Sequence, residues 1–156
     1  MTVETTPVAP ITVSSQALGS VEIDPATTIE MLDPLAGFPD CTHYALVPHV
    51  RGGVVSPTIQ WLQAMERPFQ AFIVADPWTV FPDYSPELSD GDAARLGLSA
   101  AEDAQLLVIL TVPGTPSGIT ANLRAPIVVN VPERVAKQAV LLGDAYHTRH
   151  EVRRAA

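Results

Sequence analysis

Short apolar runs, most of them closed by proline, are spread along this chain. The two clearest are residues 106–112 and 127–131, which lie on either side of a polar segment at 120–126. Their ends are closed by Pro113, Pro126 and Pro132. Proline has no backbone N–H for a sheet ladder, so it marks the ends of strands and not the middle of central ones. The pattern therefore predicts many short strands with abrupt ends.

Further apolar or alternating runs extend this pattern over most of the chain. They predict strands at residues 18–24, 27–32, 43–47, 69–75 and 138–142. The run at 106–112 is continuously apolar, which predicts a strand buried on both faces or set in the wall of a barrel. Together these elements predict a mainly β fold: a small, single-domain, antiparallel β-barrel-like fold or sandwich with a few short helices.

Helix signals occur at three places. Ser56 as N-cap and Pro57 at the first helical position predict a helix over residues 57–65. Ser89 predicts a second helix that runs to about residue 96 and stops at Gly97. The capping-box pattern of residues 99–102 predicts one further helical turn. Between strand and helix, Gly52 and Gly53 predict a mobile loop at residues 49–56.

The length of 156 residues suits one domain with a core of its own. Residues 1–10 predict a flexible N-terminal tail, residues 11–150 the β-rich domain, and residues 151–156 a C-terminal tail. We expect a monomer. The chain begins without the basic and apolar pattern of a signal peptide, and no apolar run approaches the length of a membrane span. We therefore expect a cytoplasmic protein without a membrane partner.

The charge of the chain is strongly acidic. The formal net charge is −8, which disfavours direct binding to nucleic acid because no excess of cations is available to neutralise phosphates. Residues 76–103 carry seven carboxylates and one basic residue, Arg95. This segment indicates either a solvated acidic face or a surface that meets a basic partner.

Reaction chemistry is sparse in this sequence. Cys41 is the single cysteine, so an intramolecular disulfide is excluded, and no Gly-x-Ser-x-Gly elbow occurs. His147 and His150 are three apart, but no cysteine or carboxylate at ligand spacing accompanies them. We expect no catalytic residue, metal or cofactor. The alternative is a small β-barrel enzyme or cofactor-binding protein that holds a flavin or a metal.

Asn122 lies between small or apolar neighbours just before a core strand. Its side-chain amide can bond backbone groups of the turn and fix how the strand enters the core. The alternative is that it grips the backbone of a partner.

Several motifs together resemble the FliW family of flagellar assembly factors. The most specific is the Thr-x-Asn-Leu-x-Ala-Pro segment that begins at Thr120. Phe-Pro-Asp-Tyr at 81–84, Lys-Gln-Ala-Val-Leu at 137–141 and Tyr-His-Thr-Arg-His at 146–150 follow the same order as in the family, and the resemblance covers residues 18–150. This chain departs from the family at Arg124, where a second leucine is usual, and in its Gly52–Gly53 segment.

The resemblance implies a non-enzymatic cytoplasmic protein. Members of the family bind flagellin before its export and also bind CsrA, a basic RNA-binding repressor of translation. When free of flagellin they sequester CsrA, which relieves repression of flagellin synthesis. We predict partner contacts in the acidic segment and in the motif that begins at Thr120. The predicted residues are Asp76, Phe81, Asp83, Tyr84, Glu87, Thr120, Asn122 and Leu123.

Overall fold

The computed structural model of the protein describes residues 11–15, 19–67, 70–113 and 118–152. The predicted N-terminal tail at 1–10 lies outside these residues, as do Leu18 and Phe69 at the starts of two predicted strands. Of the predicted C-terminal tail, Glu151 lies in a strand, and residues 153–156 lie outside the described residues.

Strands dominate the described chain. They are β1 (Ile11–Ser15), β2 (Gly19–Ile23), β3 (Ile29–Met31), β4 (His43–Arg51), β5 (Val54–Ala64), β6 (Ala71–Ala75), β7 (Ala104–Thr111), β8 (Thr120–Ala121), β9 (Ile127–Asn130), β10 (Val135–Gln138) and β11 (His150–Glu151). The helices are α1 (Pro77–Val80) and α2 (Asp90–Leu96), with 3-10 turns at Pro25–Thr27 and Ala101–Asp103.

Seven of these strands close a barrel. Neighbours pair in the order β7-β6-β5-β4-β3-β10-β9, and β9 pairs again with β7. Strands β8 and β11 extend the wall beyond β7, and β1 and β2 form a separate two-stranded antiparallel sheet. The prediction of a mainly β, barrel-like fold is confirmed. One pairing departs from the antiparallel rule, because β3 and β10 run parallel, with Glu30 opposite Val135 and Met31 opposite Ala136.

Strand β7 separates two apolar clusters. Leu107 packs into the barrel cluster with Tyr44, Leu62 and Ile127, whereas Val108 packs into a second cluster with Tyr84. Successive side chains of a strand point to opposite faces, so β7 is buried on both faces. Its unbroken apolar run predicted this position.

The predicted helix over residues 57–65 is wrong, because residues 57–64 belong to the long strand β5. The local capping signal does form: the Ser56 hydroxyl oxygen accepts hydrogen bonds from the N–H groups of Thr58 and Ile59. Partner strands decide the outcome, since β5 pairs with β4 along one edge and with β6 along the other. Those two ladders satisfy more backbone groups than one short helix would.

The predicted mobile loop at residues 49–56 is also wrong. Strands β4 and β5 are joined by the two residues Gly52 and Gly53, whose φ angles are 60° and 78°. Two positive φ angles are what the tight type I′ hairpin turn requires, and glycine adopts them without steric cost.

The last predicted strand is displaced toward the N-terminus. It was predicted at residues 138–142, whereas β10 ends at Gln138. Residues 139–141 run beside 124–126 without forming a regular strand, with the Ala139 N–H bonded to the Pro126 carbonyl and the Leu141 N–H to the Arg124 carbonyl. The apolar run therefore marked a segment in which Ala139 and Leu141 are buried, but it did not predict the backbone geometry.

The predicted helix after Ser89 is confirmed. The Ser89 hydroxyl oxygen accepts the Asp92 N–H at 3.1 Å, and Gly97 closes the helix in the left-handed conformation. The further helical turn forms as a 3-10 turn at Ala101–Asp103, but Ser99 does not cap it, because the capping position is Ala100. In the part of the chain that the structure describes, no helix combines the length and the apolar character needed to cross a bilayer.

The caps of α2 generate a prediction about two glycines. Gly97→Ala places a side chain at φ +69° and is expected to lower the free energy of unfolding by about 1 kcal/mol. Gly91→Ala, inside the same helix, meets no atom closer than 4.0 Å and is expected to raise it by about 0.5 kcal/mol. Urea denaturation measures both, and equal effects of the two substitutions would contradict the assigned cap.

Candidate protein-docking surface

The acidic segment forms an insert between β6 and β7. We call residues 76–103 the acidic insert; it contains α1, α2 and the 3-10 turn that leads into β7. Asp76 begins it, with its carboxylate accepting the Trp78 N–H at 3.0 Å and Pro77 at the first helical position. An acidic residue followed by proline is a strong local signal for a helix start, so α1 forms although it is only one turn long.

Tyr84 fixes the middle of the insert to the barrel. Its hydroxyl donates to the Leu123 carbonyl at 2.6 Å, and both residues are buried, at 5% and 2% exposure. Burial and the neighbouring Tyr146 raise the pKa of Tyr84, so the hydroxyl keeps its proton and remains a donor. The Trp78 indole N–H donates to the Tyr84 carbonyl at 2.9 Å, which ties α1 to the same point.

The C-terminal segment supports the insert from the other side. The Tyr146 ring packs edge-on against Tyr84 at 4.7 Å, and its hydroxyl oxygen accepts the Ser85 N–H at 2.7 Å. His150 lies between the Phe81 and Tyr146 rings, at 6.2 Å and 6.1 Å between ring centres. Its Nε2 accepts the His147 N–H at 2.7 Å. The insert is thus packed on aromatic side chains from a distant part of the sequence.

Helix α2 is fastened by polar contacts. The buried Asn130 amide donates to the Leu96 carbonyl at the end of the helix at 2.8 Å. Lys137 of β10 pairs with Asp92, and Arg95 lies 3.6 Å from Asp33. Arg95 also donates to the Leu32 carbonyl. These contacts hold α2 against β9 and β10.

The seven carboxylates of the insert divide into two groups. Asp92 and Asp103 are half-buried, and Asp92 is paired with Lys137, so it serves the structure. Five others are exposed: Asp76, Asp83, Glu87, Asp90 and Glu102. The single basic residue of the insert, Arg95, already has Asp33 as its partner. The outer surface of the insert therefore carries a net negative charge.

An apolar groove of about 550 Å³ lies between the insert and the barrel. We call it the insert groove. The insert supplies one wall, and β7, β9 and Leu141 supply the other. It is lined by Trp78, Tyr84, Ser85, Pro86, Leu88, Ala93, Leu98, Ser99, Ala100, Ala101, Ala104, Leu106, Pro126, Val128 and Leu141. Trp78 remains 43% exposed at its edge.

The structure brings the predicted residues of the insert to one region but at different depths. Asp76, Asp83 and Glu87 are exposed, Phe81 is half-buried, and Tyr84 is buried. Tyr84 thus supports the surface that its exposed neighbours form. Partner contact through these residues stays a prediction.

The predicted residues of the 120–126 segment lie beneath the insert. Thr120 is half-buried in β8, and Leu123 is buried in the cluster that contains Tyr84. The Asn122 side-chain oxygen accepts the Ala125 N–H at 3.0 Å, so its amide has the turn-fixing role that its position predicts. The hydrogen bond between Tyr84 and Leu123 joins the two predicted segments.

Apart from Tyr84, sequence reasoning missed the residues that line the groove. Trp78 follows a Pro-containing break in the sequence, and Ala93 and Ala101 are of a residue type that is common in helices. A groove results from the packing of segments that are remote in sequence, and a single sequence does not display it. The one available signal was a tryptophan set among acidic residues.

Metal-ligating side chains do not cluster among the described residues. No group of three or more His, Cys, Asp and Glu side chains is placed to hold an ion within 11–15, 19–67, 70–113 and 118–152. The rings of His147 and His150 stack at 5.3 Å, and the Nε2 of His150 is already engaged with the backbone.

Comparisons with known proteins agree with this architecture. Residues 12–152 match the family described as FliW protein. The flagellar assembly factor FliW of Pseudothermotoga lettingae is 37% identical over 137 residues, which are 87% of this chain and 85% of that protein. The corresponding protein of Alkaliphilus metalliredigens is 34% identical over 134 residues, 86% of this chain and 81% of its own. A crystal structure of the flagellar assembly factor FliW superposes with a TM-score of 0.80 at 29% identity and covers 90% of this chain and 95% of that one.

The packing of His150 generates a prediction about pH. Burial, and to a lesser degree His147, lowers the pKa of His150 below its ordinary value of 6.5. The unfolded chain therefore binds a proton at His150 at a higher pH than the folded chain. The contribution of neutral His150 to the free energy of unfolding is therefore complete above about pH 6.5. It is lost as the pH falls through the lowered pKa of the folded state.

We expect the free energy of unfolding to be smaller at about pH 5 than at about pH 7.5, with part of that difference removed by His150→Gln. Glutamine can still accept the His147 N–H but does not titrate. Urea denaturation at the two pH values measures this. An unchanged pH dependence in the variant would contradict the role of His150.

Proposed function

Since this chain belongs to the FliW family of flagellar assembly factors, we propose that it binds flagellin in the cytoplasm and that, when free of flagellin, it sequesters a CsrA-type RNA-binding repressor. Sequestration relieves repression of flagellin synthesis. The observation that carries the proposal is the acidic insert: exposed carboxylates on a support that several hydrogen bonds fix to the barrel.

A fixed, charged surface suits a protein that acts by binding. Groups that are already ordered lose little conformational freedom when a partner arrives, so more of the contact energy appears as affinity. The negative field of the insert speeds encounter with a basic protein. A basic RNA-binding repressor has the complementary charge.

Two partners of one protein are coupled by mass action. If each lowers the free concentration of the binding protein available to the other, then the level of flagellin sets how much of the repressor is captured. Regulation of this kind needs no chemical reaction.

Size-exclusion chromatography of the purified protein with flagellin, with the repressor and with both tests this function. We expect a complex with each partner alone and a reduced fraction of repressor complex when flagellin is added. Absence of any complex would refute the proposal. A complex with flagellin alone would reduce the function to that of a flagellin chaperone.

Charge reversal in the insert generates a further prediction. The double variant Asp83→Lys, Glu87→Lys is expected to slow association with the repressor about tenfold at low salt, with a smaller effect at high salt, because both side chains are exposed and their field is screened. The control is Glu22→Lys, Glu30→Lys, which makes the same charge change at exposed residues of β2 and β3. Stopped-flow association rates measure both. Equal slowing in the two variants would assign the effect to net charge and not to the insert.

A further inference from the structure

The insert groove has a composition that favours an apolar occupant. The hydrogen-bonding groups of its two aromatic side chains are committed to the protein itself: the Tyr84 hydroxyl donates to the Leu123 carbonyl, and the Trp78 indole donates to the Tyr84 carbonyl. A small polar ligand is held by convergent polar groups, and this lining offers few of them. The groove therefore selects for apolar side chains that fit its shape.

The rim of the groove has the opposite character. Glu87 lies between the lining residues Pro86 and Leu88, and Glu102 directly follows the lining residue Ala101. Both carboxylates are exposed. Among the described residues of the insert, the one cation, Arg95, is paired with Asp33. An occupant that extends past the rim therefore meets negative charge on the insert side.

We propose that the insert groove docks an amphipathic segment of a protein partner, with large apolar side chains inside the groove and lysine or arginine side chains against Glu87 and Glu102. The proposal rests on the function proposed above and adds the site and the chemistry of the docking segment. Trp78, partly exposed at the edge, is the side chain best placed to be covered by such a segment. Tryptophan is among the residues that contribute most when buried at an interface.

The charge of the rim decides between possible occupants. A neutral small molecule would use the apolar lining but gain nothing from the carboxylates. Anionic lipid surfaces and nucleic acids would be repelled by them. A segment that is apolar on one side and cationic at its flanks uses both features of the site.

Ala93 and Ala94 of α2 offer a matched pair of substitutions. Ala93 lines the groove, whereas Ala94 is exposed and does not line it. Ala93→Phe fills the groove, and Ala94→Phe adds the same side chain on the outer surface. The two variants change composition equally and differ in where the added ring lies.

Trp78 supplies the readout. The chain has two tryptophans, so Trp61→Phe leaves Trp78 as the single reporter. The probe is a short synthetic peptide with leucines at helical spacing and lysine flanks, compared with a twin that carries glutamate flanks. We expect the lysine peptide to shift Trp78 emission to the blue and to protect it from acrylamide. The glutamate twin should bind at least about tenfold more weakly.

We expect Ala93→Phe to weaken binding of the lysine peptide about tenfold or more, the effect of losing a well-packed anchor, and Ala94→Phe to leave it unchanged. The rim variant Glu87→Lys, Glu102→Lys should weaken it similarly, whereas Glu22→Lys, Glu30→Lys should not. Equal binding by the Ala93 and Ala94 variants would overturn the proposal, as would equal binding of the two peptides. Should Ala93→Phe fail to fold, acrylamide protection of Trp78 in the otherwise unchanged chain remains decisive.

Two further measurements separate this inference from the proposed function. If flagellin and the repressor bind Ala93→Phe as tightly as the original chain, the docking site is wrong although the function stands. If neither binds the original chain while the lysine peptide protects Trp78, the function is wrong although the groove docks such a segment. A small molecule retained by the purified protein in native mass spectrometry and displaced by Ala93→Phe would make the groove a ligand site and overturn the proposal.

Discussion

The hydrogen bond from the Tyr84 hydroxyl to the Leu123 carbonyl is the contact on which the surface of this protein depends. It joins the acidic insert to the turn before β9, and burial leaves neither group an alternative partner in water. A buried donor and acceptor are costly when unpaired, typically by about 1–3 kcal/mol each. The position of the insert, and with it the groove and its rim, is therefore fixed from inside the molecule.

The charges of the protein have separate tasks. Asp92 and Lys137 form a half-buried pair that fastens α2, whereas Glu87 and Glu102 remain free to act on their surroundings. The net charge of −8 does not distinguish these two roles, because it counts carboxylates in structural ion pairs together with exposed ones. A change at Asp92 would disturb the support of the surface, while a change at Glu87 would alter the surface alone. The distinction separates loss of fold from loss of recognition.

Local signals in the sequence predicted the elements whose causes are local. Ser89 and Gly97 marked α2, and the unbroken apolar run marked β7 as a strand buried on both faces. The same reasoning failed at Ser56, where a genuine capping bond forms but two partner strands determine the backbone. It also did not foresee the role of Tyr84, whose partner carbonyl lies far along the chain. The resemblance to a family pointed to the segments at 81–84 and 120–126. The contacts in the structure then showed which of their residues are buried supports and which are exposed.

The parallel pairing of β3 with β10 has a consequence for how the protein is made. It joins Glu30 to Val135, so the barrel is completed by strands that lie far apart in the sequence. Such remote contacts are slow to form, since a long stretch of chain must be ordered before they contribute. Closure therefore waits until β10 has been synthesised and can reach β3. Until then the edges of the growing sheet stay unpaired, which makes the newborn chain a candidate for chaperone protection.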